Sequence, residues 1–245
     1  YKMSLPLKEL IKIGENQLRE AGVMDSARDA KDLYCFIDKL DAVGLMMHWQ
    51  DILADNTCEA YFELIERRAG GEPMQYITGV QEFMGLTFNV NPSVLIPRQD
   101  TECLVEIVLK HLHDGMRILD MCTGSGCILI SLLHYSNDCE GVGVDLSEEA
   151  LNVARDNAER LSNNGISDKM NVNFVHSDLF ENIDGNFDII VSNPPYIKTE
   201  VIKGLMPEVR EYEPMMALDG MEDGLYFYRK IISSAKEHLS RGGQL

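Results

Sequence analysis

The chain has 245 residues, 45% hydrophobic and 25% charged, a composition that fits a soluble globular protein of one large domain or two smaller ones. No apolar run approaches the roughly 20 residues of a membrane span, and YKMSLPLKELIK at the N-terminus lacks the apolar core of a signal peptide, so the expected location is the cytoplasm. A net charge of −18 repels nucleic-acid phosphates and weighs against a DNA- or RNA-binding protein, although a local basic patch is compatible with it.

The first seventy residues read as helices. Leu7, Leu10, Ile11 and Leu18 recur at helical spacing, and Gly22 offers a stop. Asp25 and Ser26 offer a cap for a second helix carrying Ala30, Leu33, Tyr34, Ile37 and Leu40. A further helix is expected near 44–53. Asn56 with Glu59 three residues on resembles a capping box for a helix over 57–69, ended by Gly70-Gly71. From 73 to 98 the period changes. YITGVQEFMGLTFNV holds two short β-like runs punctuated by Gly79 and Gly85, the pattern of a hairpin, and Pro92 and Pro97 bracket SVLI. Three parts are expected: a small helical N-terminal domain over 1–72, a β-hairpin linker over 73–98 and an α/β domain over 99–245.

In that last part strands and helices alternate. Helices are expected over 101–113, 125–135, 147–161 and 225–239, and strands over 117–121, 141–145, 172–176 and 187–192. Ser147 caps its helix, with Glu148 and Glu149 in the first turn, where the helix dipole favours them. The alternation implies a mostly parallel sheet covered by helices. RGGQL at the end reads as the start of another strand, so the chain is expected to lack its last strands. Six cysteines (Cys35, Cys58, Cys103, Cys122, Cys127, Cys139) form no CxxC and read as free thiols. His111 and His113 fall on different faces of a helix, and no metal site is expected.

Two strand tips carry chemistry. LDMCTGSG, residues 119–126, joins the first strand of the α/β domain to a helix, and in open α/β sheets ligands bind beyond the carboxyl ends of strands. Gly124 and Gly126 allow close approach of a ligand to the backbone. Asp145, at the end of the second strand and 19 residues past Gly126, can accept both hydroxyls of a ribose. A dinucleotide fingerprint needs a third glycine where this chain has Leu129, and Asp120 would repel a pyrophosphate. S-adenosylmethionine carries an ammonium and a sulfonium and no phosphate, and fits better than NAD; a glycine-rich turn without a ligand is the plain alternative.

SNPPY, residues 192–196, ends the strand expected to neighbour the first. Neither proline can donate a backbone hydrogen bond, and the first forces Asn193 out of the helical region. The Asn193 side-chain oxygen and the Pro194 carbonyl can accept the two N–H bonds of one planar NH₂, fixing its nitrogen in line with a sulfonium, while Tyr196 packs on the planar group. No strong base is needed, because nitrogen becomes acidic once methylated. The competing reading is a proline-rich loop that only terminates a strand.

With these residues in hand, the chain resembles the release factor glutamine N5-methyltransferases. NPPY is shared with adenine-N6 nucleic-acid methyltransferases, but ERRAGGEPMQYITGVQEFMGLTFNVNPSVLIPRQDTECLVE (66–106), SDLF (177–180), SNPPYI (192–197) and EYEPMMALDGMEDGL (211–225) resemble the release-factor enzymes. The resemblance covers nearly the whole chain and is weakest over 1–55. It implies a Rossmann-like class I S-adenosylmethionine-dependent methyltransferase domain of seven strands and a helical N-terminal domain that helps hold the substrate. The implied partner is a class 1 peptide chain release factor, methylated on the glutamine of its Gly-Gly-Gln motif, with no direct nucleic-acid or membrane partner. Carried over, Asp120, Cys122, Thr123, Gly124, Ser125, Gly126, Asp145, Leu179 and Asn193 hold the cofactor, with Leu179 beside the adenine. Asn193, Pro194, Pro195 and Tyr196 bind the glutamine, and Asn193, Pro194 and Tyr196 serve catalysis. Two departures stand out: Cys122 and Gln99 occupy positions where the family usually has Gly and Pro. The chain's own Gly242-Gly243-Gln244 reads as structural. Adenine-N6 methylation of DNA or RNA is the alternative activity, and a scaffold that binds cofactor and release factor without chemistry is the non-enzymatic reading.

Overall fold

The computed structural model describes residues 5–163 and 170–245; residues 1–4 of the expected N-terminal domain lie outside them. The chain divides into two compact units, residues 1–78 and 79–245. The first comprises α1 (Leu7–Glu20), α2 (Ser26–Asp38), α3 (Ala42–Met47), α4 (Asp55–Ala69) and α5 (Met74–Thr78). The helically spaced Leu7, Leu10, Ile11 and Leu18 are all buried, in one core with Leu33 and Tyr34 of α2 and Tyr61 and Ile65 of α4. Each such side chain contributes about 1.5–3 kcal/mol. The Tyr61 hydroxyl donates to the Ala30 carbonyl (3.0 Å), and Arg68 pairs with Asp29 (2.7 Å).

Two helix starts differ from the sequence reading. The Asn56–Glu59 box does not form: the amides of Thr57 and Cys58 both donate to the Ala54 carbonyl, so α4 begins at Asp55. The helix expected near 44–53 begins at Ala42 and ends at Met47, because the Asp41 carboxylate accepts the Gly44 N–H (2.7 Å) and caps it early.

The second unit opens on an antiparallel hairpin, β1 (Val80–Phe83) and β2 (Leu86–Asn89). Its two-residue loop, Met84-Gly85, has φ of 52° and 70°, the mirror-image turn that matches strand twist. Tyr76–Thr78, which opens the run read as β-like, instead closes α5. A 3-10 turn, Gln99–Thr101, leads into α6 (Glu102–Leu109). That helix stops short of 113 because the Lys110 and His111 amides bond three residues back, to Ile107 and Val108. Then follow β3 (Arg117–Met121), α7 (Cys127–His134), β4 (Glu140–Asp145), α8 (Glu148–Asn163), β5 (Asn171–His176) and β6 (Phe187–Ser192). Three single turns, α9 (Thr199–Ile202), α10 (Pro207–Arg210) and α11 (Met215–Leu218), precede α12 (Tyr226–His238) and β7 (Leu239–Gln244).

Among the described residues the main sheet has five strands where the resemblance implies seven, all parallel, in the order β5-β4-β3-β6-β7. Both faces are covered, so the strands read as nearly continuous apolar runs. Ile118, Ile189 and Val191 face the side of α7 and the hairpin, while Leu119, Met121 and Ile190 pack with Ile231 and Ala235 of α12. Gly242-Gly243-Gln244 lies in β7, with Gln244 opposite Ile189. Among the described residues no helix is long and apolar enough to cross a membrane.

Candidate active site

The parallel register brings the ends of β3, β4 and β6 to one edge: Met121 sits opposite Val144 on one side and Ser192 on the other. Strand order reverses between β3 and β6, which opens a crevice beyond their carboxyl ends. A cavity of about 350 Å³ occupies it.

The loop after β3 forms its floor. The Thr123 N–H donates to the Val144 carbonyl and the Gly126 N–H to the Thr123 carbonyl, both at 2.9 Å. The two oxygens of Asp145 accept the backbone N–H groups of Gly124 (2.9 Å) and Ser147 (3.0 Å), so the carboxylate is aimed before any ligand arrives. Burial raises the Asp145 pKa, and these two N–H groups oppose it. Ser147 also caps α8 through the Ala150 N–H, at 3.1 Å. Cys122 has φ of 64°, a conformation that glycine takes freely and that costs another residue about 1–2 kcal/mol. Its thiol lines the cavity; burial first, then the nearby Asp145 and Asp120, push its pKa up to about 12, so it stays neutral.

Asp120 lies wholly buried behind this floor and does not line the cavity. The Thr123 hydroxyl donates to it (2.7 Å), and burial raises its pKa to about 7. It supports the loop from beneath.

The tip of β6 forms the facing wall. The Ser192 hydroxyl donates to the Met121 carbonyl (2.6 Å) and locks the two strand tips together. Asn193 is half-buried and lines the cavity, and its side-chain amide has no hydrogen-bond partner among the described residues. Pro194 and Pro195 are buried, and Pro195 lines the cavity. Tyr196 is 53% exposed and stands outside it. The backbone beyond is clasped by residues 218–224. The Ile197 N–H donates to the Leu218 carbonyl (3.0 Å) and the Gly220 N–H to the Ile197 carbonyl (2.8 Å). A Cβ at Gly220 would lie 2.7 Å from Tyr196 Cα, and one at Gly224 would lie 2.5 Å from the Tyr196 carbonyl oxygen.

The cavity thus gathers Cys122, Thr123, Gly124, Ser125, Asp145, Leu179, Asn193 and Pro195 from the sequence-predicted set, and leaves Asp120, Gly126, Pro194 and Tyr196 outside its wall. Two further residues shape it that sequence reasoning gave no role. Ser192 is one. Glu213, itself buried, accepts the Ile96 N–H (3.2 Å) and pairs with Arg98, fastening 96–98 to the segment that starts at 213. Glu213 sits inside the EYEP run, where a lone acid between Tyr212 and Pro214 was the available signal; Ser192 offered none beyond a hydroxyl at a strand end. Arg98 is the one basic side chain among the described residues lining the cavity, and it is committed to Glu213, so no free cation awaits a phosphate. Among the described residues no three His, Cys, Asp or Glu side chains are placed to hold a metal ion, and all six cysteines are free.

Residues 9–79 match the PrmC N-terminal domain and residues 98–207 the methyltransferase small domain. The release factor glutamine methyltransferase of Geobacter sulfurreducens is 44% identical over 229 residues, 93% of this chain and 78% of that one. Its namesake in Clostridium acetobutylicum is 38% identical over 244 residues, 98% of this chain and 84% of the relative. That of Agrobacterium fabrum is 40% identical over 233 residues, 93% and 79% of the two chains. Identity at this level over nearly the whole length, together with the two matched domains, places the chain in the release factor glutamine methyltransferase family.

Proposed function

We propose that this chain transfers a methyl group from S-adenosylmethionine to the side-chain amide nitrogen of the glutamine in the Gly-Gly-Gln motif of a class 1 peptide chain release factor. The observation that carries the reading is the unpartnered Asn193 amide at the wall of a cavity whose floor carries a fixed carboxylate and no free cation. Bound there, S-adenosylmethionine supplies an electrophilic methyl on a sulfonium. The Asp145 carboxylate would take the ribose hydroxyls, and Leu179 and the 122–125 backbone would hold the rest. The Asn193 oxygen and the Pro194 carbonyl accept the two hydrogens of the substrate NH₂ and hold its nitrogen toward the methyl. The same two acceptors would stabilise the positive charge that nitrogen gains as it takes the methyl in place of the sulfur, and the nitrogen would then give a proton to water. Tyr196, exposed at the rim, packs on the incoming amide.

The test is peptide mass spectrometry of an unmethylated release factor after incubation with the chain and S-adenosylmethionine. One methyl on the Gly-Gly-Gln glutamine is expected. No methyl on the protein, with methyl transfer to adenine in an oligonucleotide, would replace this reading with the nucleic-acid one. Asn193→Ala is expected to lower turnover by at least about 100-fold. Because that amide bonds nothing among the described residues, its melting temperature should match the parent's.

A further inference from the structure

Asn157, in the middle of α8, is completely buried, and the reading above gives it no part. Its side-chain oxygen accepts the Asn89 N–H of β2 (2.7 Å). Its NH₂ donates to the Asn89 carbonyl and to the Ser125 carbonyl, both at 3.0 Å. One carboxamide thus satisfies a β2 edge residue in both directions and also the backbone of the cavity floor. Asn89 ends the hairpin, and Ser125 lies between the two glycines of the cofactor loop. The same helix carries Ser147 at its start, whose N–H holds Asp145.

We infer that Asn157 is a positioning residue that couples the hairpin to the cofactor loop, so that filling the cavity steadies β2 and a steadied β2 favours cofactor binding. The inference rests on the methyltransferase reading of the cavity. A ligand that orders the 122–126 backbone fixes the Ser125 carbonyl as an acceptor. That fixes the Asn157 NH₂, and the rigid amide then holds the Asn89 N–H. Linkage makes the effect reciprocal: whatever steadies the hairpin must tighten cofactor binding by the same factor.

Asn157→Asp keeps the acceptor for the Asn89 N–H and removes the NH₂ that donates to the Asn89 and Ser125 carbonyls. Hydrogen exchange of the chain, alone and saturated with S-adenosylhomocysteine as a non-reacting probe, reads the coupling. In the unsubstituted chain the Asn89 amide is expected to slow by about tenfold on saturation. In Asn157→Asp that response disappears. Its KM for S-adenosylmethionine rises about tenfold, while kcat at saturating donor stays within about threefold of the parent. An Asn89 amide that exchanges equally with and without the probe in the unsubstituted chain overturns the inference, whether or not the variant folds. So does a folded Asn157→Asp that binds the probe as tightly as the parent. If calorimetry finds no binding of the probe at all, the methyltransferase reading falls first and the coupling with it.

Discussion

Gly220→Ala tests how closely the Asn-Pro-Pro-Tyr tip must be held. Gly220 is buried, and its added Cβ would meet Tyr196 Cα at 2.7 Å and Tyr196 C at 2.8 Å, against the 3.4 Å at which ordinary contact begins. Both atoms are main chain, so no rotamer change relieves the clash; one backbone segment must move by about 0.7 Å. The Gly220 N–H bond to Ile197, at 2.8 Å, resists movement of the 218–224 side. The displacement therefore falls on Tyr196 and, through the two rigid prolines, on Asn193. A shift approaching 1 Å at a group that aligns a reacting nitrogen costs on the order of 100-fold in rate, and overpacking costs about 1–3 kcal/mol of stability. Cofactor binding, proposed on Asp145 and the 122–125 loop, should change little. The assay is single-turnover methyl transfer to a release factor beside calorimetric titration of S-adenosylhomocysteine. A Gly220→Ala chain with kcat within about threefold of the parent would refute the claim that residues 218–224 set the position of the tip.

Gly224→Ala should be worse for folding, because its Cβ would lie 2.5 Å from the Tyr196 carbonyl oxygen at a φ of 76°; a melting temperature lower than that of Gly220→Ala is expected. Cys122→Gly removes a side chain from the cavity wall and an unfavourable φ of 64°, so cofactor affinity should rise, with stability within about 1 kcal/mol of the parent because loop entropy offsets the relieved strain. Asp120 binds its proton more tightly folded, at about 7, than its ordinary 3.8, so the folded state holds more protons between those values and stability falls as pH rises through them. Chemical denaturation should show Asp120→Asn losing that slope, with a difference on the order of a few kcal/mol accumulating between about pH 4 and pH 7; parallel pH profiles would show that the buried carboxyl does not titrate there.

The sequence made the repeating parts legible. Strands 117–121 and 187–192 have the expected bounds, because both are short apolar runs ended by residues that cannot extend them: Cys122 in the left-handed region and the proline pair. Helix starts were less legible where two polar residues compete. Asp55 and Asn56 both offer cap chemistry, and the choice fell to a backbone carbonyl, that of Ala54, which carries no sequence signature. That Asp145 and Asn193 would meet at one cavity could be read, since strand tips of a parallel sheet converge. Asn157 and Glu213 could not, because each acts on main-chain groups 32 or more positions away in sequence, and no local pattern encodes such a distance.

The placement of charge in the cavity also bears on what it accepts. Asp145 and Asp120 are both raised by burial, and Asp145 pushes Asp120 further, so neither acid gains from another negative charge nearby. Arg98, the one basic group in the wall among the described residues, is already neutralised by Glu213. A pyrophosphate entering here would add like charge to a desolvated acid, whereas a sulfonium and an ammonium lower the energy of both carboxylates. The acceptor side has the opposite character: Asn193 and two prolines, uncharged and stiff, suited to a neutral amide whose charge appears only as the bond forms. On the proposed function, a cationic donor and a neutral acceptor would be sorted by adjacent strand tips of a single sheet, which the Ser192–Met121 hydrogen bond ties together.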